Sequence, residues 1–158
     1  MVRQRTTFQG IYYNVFGSSA EYELMKILWG CGFAVAKCID TLEFPAPDVL
    51  AIKGNIKIAF EVKRTSNIEN GVRVRVSQLY RLLKFSELAG AVAYVAVNIV
   101  GRNNDSKWFV IPAEALAYKV RFEAKSDKTI TITKNRLSKY GFELKKLLEA
   151  IGEVMMYG

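Results

Sequence analysis

The stretch "PAPDVLAIKGNIKIAFEVKRT", residues 45–65, decides the fold. It holds two strand-like runs, "DVLAIK" and "IKIAFEVK", around Gly54-Asn55, a favoured two-residue hairpin turn with glycine first. With those two residues at the turn, Lys53 faces Ile56. Stepping outward in register then puts Asp48 opposite Glu61 on one sheet face, with Cβ atoms about 4.5–5.5 Å apart. Lys63 projects from the same face one pleat further on. Like charges directly opposite one another destabilise a sheet, and more so when partly buried. A hard divalent cation such as Mg²⁺ resolves the conflict, because it is held by one or two carboxylates plus water. Lys63 alongside then neutralises a phosphate or orients a water. The competing reading makes Asp48 a strand cap after Pro47, with Glu61 and Lys63 a surface pair.

Outward from the hairpin, the chain alternates helical and extended patterns. Upstream, "SSAEYELMKILWGCG" has Ser18 and Glu21 at capping-box spacing, and Leu24, Ile27, Leu28 and Cys31 at helical spacing. "FAVAKCI" follows as a strand. Downstream, "SQLYRLLKFSELAG" reads as a helix capped by Ser77 and stopped by Gly90. "AVAYVAVNIV" is a continuous apolar run of the kind found in a central strand covered on both faces. "KWFVIP" is another strand, followed by a short helix near "PAEALAY". "KVRFEAK" and "TITITK" predict a hairpin around Asp127-Lys128. Leu144, Leu147, Leu148, Ile151 and Met155 predict a terminal helix over about 137–157. The expectation is an α/β fold with a mixed sheet flanked by helices, as one domain over 1–158 with a basic arm at 1–16.

Composition narrows the chemistry. The chain has no histidine, which excludes Ser-His-Asp and Cys-His triads and imidazole-based metal sites. Carboxylates and lysine must carry any catalysis. The two cysteines, Cys31 and Cys38, cannot build a four-thiolate zinc site and read as reduced core thiols. A net charge of +8 in 158 residues points to a polyanionic partner. Arg3, Arg5, Arg64, Arg73 and Arg75 are the candidate phosphate contacts, with a solvated strand face as the competing account of Arg73 and Arg75. No apolar run reaches the roughly 20 residues of a membrane span, and the N-terminus has no apolar signal core, so a soluble, intracellular (cytoplasmic) protein is expected.

At Pro47-Asp48 and Glu61-Val62-Lys63 the chain resembles the PD-(D/E)xK nuclease superfamily, whose fold is the restriction-endonuclease-like one. With "GSSAEYELMKILWGCGFAVAK" and "QLYRLLKFSELAGAVAYVAV" included, residues 17–112 are similar to archaeal-type Holliday junction resolvases. The resemblance implies metal ligation by Glu21, Asp48, Glu61 and the Val62 carbonyl, with Lys63 as the catalytic lysine. It implies Mg²⁺, with Mn²⁺ as a substitute, four-way junction DNA as substrate, and a homodimer. Gln78 stands where related nucleases often place a polar residue near the metal. The loop that carries a functional serine in the family reads "CIDTLEFPA" here, leaving Thr41 as the nearest hydroxyl. Two alternatives stay open: a restriction-like or repair nuclease on other DNA structures, and a DNA-binding module without catalysis.

Overall fold

The structure, a computed structural model, describes residues 19–39, 41, 43–103, 105–117 and 128–157. At its centre is the predicted hairpin. β2 (Val49–Lys53) and β3 (Ile56–Thr65) pair with Lys53 opposite Ile56 and Val49 opposite Phe60. Gly54 makes the turn at φ 57°, in the left-handed region that glycine enters without a Cβ clash. β1 (Ala34–Lys37) adds to the outer edge of β2, antiparallel. On the other side β3 runs parallel to β5 (Val92–Val100), which pairs antiparallel with β6 (Ser106–Pro112). A two-residue strand, β8 (Phe142–Glu143), closes the far edge. The six-stranded sheet therefore has the order β1-β2-β3-β5-β6-β8 and is mixed, as the sequence predicts.

Side-chain alternation sorts the core into two layers. Ile58, Phe60, Val62, Ala96 and Val110 face α1 (Ser19–Gly30) and α5 (Leu144–Tyr157), packing on Leu24, Leu28, Leu144, Leu147, Leu148 and Ile151. Ala59, Val95, Val97 and Ile111 face α2 (Val76–Ala89) and α3 (Ala113–Ala117), through Leu79, Leu82, Ala113 and Leu116. β3 and β5 are thus covered on both sides, which accounts for their continuous apolar runs.

Several local expectations are corrected. The helix predicted from about Leu137 is two helices, α4 (Lys134–Tyr140) and α5. Leu137 packs in the α2 layer and Leu144 in the α1 layer, so the chain must pass around the sheet edge between them. It does so at Gly141 and β8. "TITI" forms β7 (Thr129–Ile132) and pairs antiparallel with β4 (Val72–Arg75) as a separate ribbon. Its predicted partner "KVRFEAK" lies outside the described residues, as do Ser18 and the arm at 1–16. α2 begins at Val76 with Arg75 as its cap, not Ser77, because Gln78 at the third helical position takes the Arg75 N–H. The cysteines are free, but Cys31 is exposed and Cys38 only partly buried, so neither is a core thiol.

Gly141 has ordinary extended dihedrals, and close approach is what restricts it. A Cβ there would lie 2.7 Å from the Leu137 carbonyl oxygen and 3.0 Å from that of Val110, both backbone atoms. Gly141→Ala is expected to lower unfolding free energy by about 1–3 kcal/mol, as overpacking does. Gly152→Ala, where an added Cβ meets nothing within 4 Å, should raise it by about 0.5–1 kcal/mol by removing a helix-interior glycine. Urea unfolding at one fixed protein concentration checks both signs, and a stabilising Gly141→Ala would contradict the packing account.

Candidate active site

The regular ladder of the hairpin ends at Val49–Phe60. One residue earlier, the Asp48 N–H donates to the Phe60 carbonyl at 2.9 Å, out of step with that ladder. The departure turns the Asp48 carboxylate along β3, where Oδ2 accepts the Val62 N–H at 2.8 Å. The Asp48 carbonyl accepts the Cys38 N–H at 3.1 Å, so β3 on one side and the residue after β1 on the other pin this residue. The sequence places Asp48 squarely opposite Glu61. The structure brings the two carboxyl groups together through this kink.

Glu61 is 6% exposed, on the α2 side of the sheet. Its carboxyl is pushed up to about 7, first by burial, then by the charge of Asp48, against a lowering by Lys63. Lys63 Nζ lies 3.1 Å from Glu61 Oε1 and donates to Gln78 Oε1 at 3.1 Å. Gln78 is therefore the link between α2 and the lysine, since the same oxygen also takes the Arg75 N–H. Two fixed acceptors hold the ammonium in place. Glu21 arrives from the first turn of α1, and its Oε2 sits 2.6 Å from Lys37 Nζ at the end of β1. Burial raises the Glu21 pKa, the Lys37 hydrogen bond opposes that, and the Asp48 charge raises it further. Asp48 also adds to burial in raising the Cys38 thiol. Glu21, Asp48, Glu61 and Lys63 thus share one electrostatic neighbourhood.

The donor set fits a hard divalent ion. It consists of carboxylate oxygens together with the Val62 carbonyl. On β3 the Phe60 carbonyl and the Val62 N–H both point toward the β2 side, so by strand alternation the Val62 carbonyl points there too. Among the described residues no three or more His, Cys, Asp or Glu side chains are gathered closely enough to hold a metal ion by themselves. Mg²⁺ needs no such cluster, because it is usually bound through one or two carboxylates and keeps several waters.

The remaining predicted residues divide. Arg73 and Arg75 are exposed on β4, alternating with buried Val72 and Val74. Arg64 lies on the sheet face opposite Lys63, pairing with Glu23 at 2.9 Å and donating from Nε to buried Asn98 at 2.7 Å. Those contacts hold Arg64 on the α1 side of the sheet, away from Lys63. Thr41 Oγ1 is used locally, accepting the Phe44 N–H at 3.0 Å. Arg3 and Arg5 lie outside the described residues. Sequence reasoning missed Lys37. The signal was a lysine ending "FAVAK", which becomes legible only once β1 is known to flank β2.

The family model described as archaeal Holliday junction resolvase (Hjc) matches residues 13–154. The crossover junction endodeoxyribonuclease Hjc of Archaeoglobus fulgidus is 29% identical over 102 residues, covering 63% of this chain and 71% of that protein. The crossover junction endodeoxyribonuclease Hje of Saccharolobus solfataricus is 39% identical over 71 residues, 44% of this chain and 51% of the relative. The solved structure of A. fulgidus Hjc, a Holliday junction resolvase from an archaeal hyperthermophile, superposes with a TM-score of 0.62 at 28% identity. It covers 82% of this chain and 93% of that one.

The raised Glu61 pKa carries a stability consequence. Because the folded state holds this proton more tightly than the unfolded chain, the metal-free protein binds more protons when folded between about pH 4.5 and 7. Stability contributed by the neutral carboxyl is therefore lost as pH rises through that window. Glu61→Gln, neutral throughout, should gain stability relative to wild type as pH rises from about 4.5 to 7. Denaturant unfolding in EDTA across this range measures the difference, and a pH-independent difference would refute the assigned environment.

Proposed function

The chain belongs to the archaeal Holliday junction resolvase family, and from that premise we propose a divalent-metal-dependent endodeoxyribonuclease that resolves four-way DNA junctions. We take residues 1–158 as one nuclease domain acting as a homodimer, since a four-way junction is two-fold symmetric and requires paired cuts. The observation that carries the catalytic reading is the buried Glu61 facing Asp48 with Lys63 Nζ fixed at 3.1 Å. A binding module would gain by replacing acids that repel phosphate. No helix among the described residues is long and apolar enough to cross a membrane.

Asp48, Glu61 and the Val62 carbonyl, with Glu21 from α1, would hold Mg²⁺, for which Mn²⁺ substitutes. A divalent ion in such a site supplies Lewis-acid charge toward the phosphodiester and its attacking water. Asp48 is oriented for this by the Val62 N–H, so its carboxylate does not need to reorganise. Lys63 presents a fixed positive charge where negative charge develops on the phosphoryl oxygens, and Gln78 keeps that ammonium aimed. Lys37 balances Glu21 at the rim. Arg73 and Arg75 on the exposed face of the β4–β7 ribbon, and Arg3 and Arg5 of the arm, are assigned to phosphates.

Asp48→Asn and Glu61→Gln are each expected to abolish junction cleavage while leaving binding intact or tighter at low salt. Lys63→Ala should lower the cleavage rate more than the affinity, because its charge matters most in the transition state. Cleavage of a labelled junction and a linear duplex, with Mg²⁺ and with EDTA, tests the whole reading. Full activity in both carboxylate variants would sink the site assignment, and equal cutting of linear duplex would favour a restriction-like nuclease.

Binding itself should be dominated by phosphate contacts, given the +8 charge. Log affinity should fall steeply with log salt, and losing Arg73 or Arg75 should reduce the slope by about one each. Sedimentation should give about twice the 17.8 kDa chain mass. A mixed dimer carrying one Glu61→Gln chain should nick one strand only, and a single chain making both cuts would overturn the paired-site architecture.

A further inference from the structure

Two large apolar side chains on the segment between β1 and Asp48 have no part in the chemistry above. Ile39 is 84% exposed, the most exposed large hydrophobic among the described residues, and Phe44 is 71% exposed. Single exposed apolar residues are ordinary. These two, however, stand at or next to backbone bonds that lead to Asp48 and to α2. The Cys38 N–H donates to the Asp48 carbonyl at 3.1 Å, so Ile39 stands one residue from a bond onto that aspartate.

Phe44 is held at its backbone three times. Its N–H donates to Thr41 Oγ1 at 3.0 Å, and its carbonyl accepts the Thr41 N–H at 3.3 Å and Arg81 Nη2 at 3.4 Å. Arg81 lies about one turn along α2 from Gln78, the residue that holds Lys63. Pro45 and Pro47 then limit the backbone on the way to Asp48. Phe44 thus presents an exposed ring from a backbone bonded to Thr41 and Arg81, on the segment that leads into Asp48.

The ligand at this position is DNA, whose apolar surface is the face of its bases. In a continuous duplex those faces are covered by their neighbours, and exposing one requires unstacking. Wedge residues that open a base step must supply a few kcal/mol. That cost is least where pairing or stacking is already interrupted, as it is where helices branch. An aromatic ring is matched to such a face, since base–aromatic stacking tolerates any base.

We propose that Phe44 stacks on a base exposed at the branch point, with Ile39 packing beside it, and that this pair selects branched over continuous DNA. The assignment rests on the junction-resolving reading above and names residues within this chain that set its selectivity.

The test uses the full chain with a four-way junction carrying 2-aminopurine at the branch point, in EDTA so that binding proceeds without cleavage. Wild-type binding should change the 2-aminopurine fluorescence, Phe44→Ala should abolish the change, and Phe44→Trp should restore it. Phe44→Ala should lower the preference for junction over linear duplex by about tenfold, within the range for loss of one base–aromatic stack. Its linear-duplex affinity and thermal midpoint should match wild type. Retention of both signal and preference in Phe44→Ala, when wild type does prefer the junction, overturns this assignment alone. Absence of junction preference in wild type defeats the junction-resolving reading and this one with it. A Phe44→Ala protein that sediments as a single chain where wild type sediments as two would place the ring on a second copy and refute base stacking.

Discussion

The organising constraint is the confrontation of Asp48 and Glu61 across the central hairpin. Burial alone disfavours a charged carboxylate, and a second carboxylate beside it raises the cost, which is why Glu61 is shifted to about 7. The fold does not relieve this by separating the groups. It fixes Asp48 with bonds to Phe60, Val62 and Cys38, and sets Lys63 against Glu61 as partial compensation. Retaining such a conflict is consistent with a site whose balancing charge comes from a cation and which acts on a polyanion.

The rest of the architecture serves that confrontation. β3 carries Glu61 and Lys63 toward α2, while Val62 on the same strand anchors the opposite core layer. Alternation along one strand thus delivers chemistry to one face and packing to the other. Gln78 joins α2 to the site, its oxygen receiving both the Lys63 ammonium and the N–H of the helix's own cap residue. A capping interaction and a positioning interaction are here the same atom. α1 brings Glu21 from the other side of the sheet edge, where Lys37 meets it. Elements distant in sequence converge because the hairpin and the parallel β3–β5 pair place their ends together.

Charge has a division of labour as well. The overall basic excess is a long-range property that favours any polyanion, and Arg73 and Arg75 sit on an exposed ribbon suited to it. Arg64 shows that an arginine beside the motif need not share its role. Strand alternation turns it away, and Glu23 with Asn98 satisfies it. The loop before Asp48 contributes shape in place of charge, with Ile39 and Phe44 displayed on an anchored backbone.

By itself the sequence determined the hairpin, its turn and its register, because a two-residue glycine turn leaves little freedom and alternation then assigns every side chain to a face. It also determined the central strands, the body of the second helix and its stop at Gly90, and the absence of histidine chemistry. Tertiary structure decided what depends on partners distant in the chain. It decided the kink at Asp48, whose N–H reaches the Phe60 carbonyl out of step with the ladder, and the service of Gln78 to Lys63 fifteen residues away. It split the terminal helix, because Leu137 and Leu144 belong to opposite core layers and no straight helix reaches both. It paired "TITI" with β4 and Lys37 with Glu21. Local pattern fixes which way a side chain points; only packing against the rest of the chain fixes what it meets.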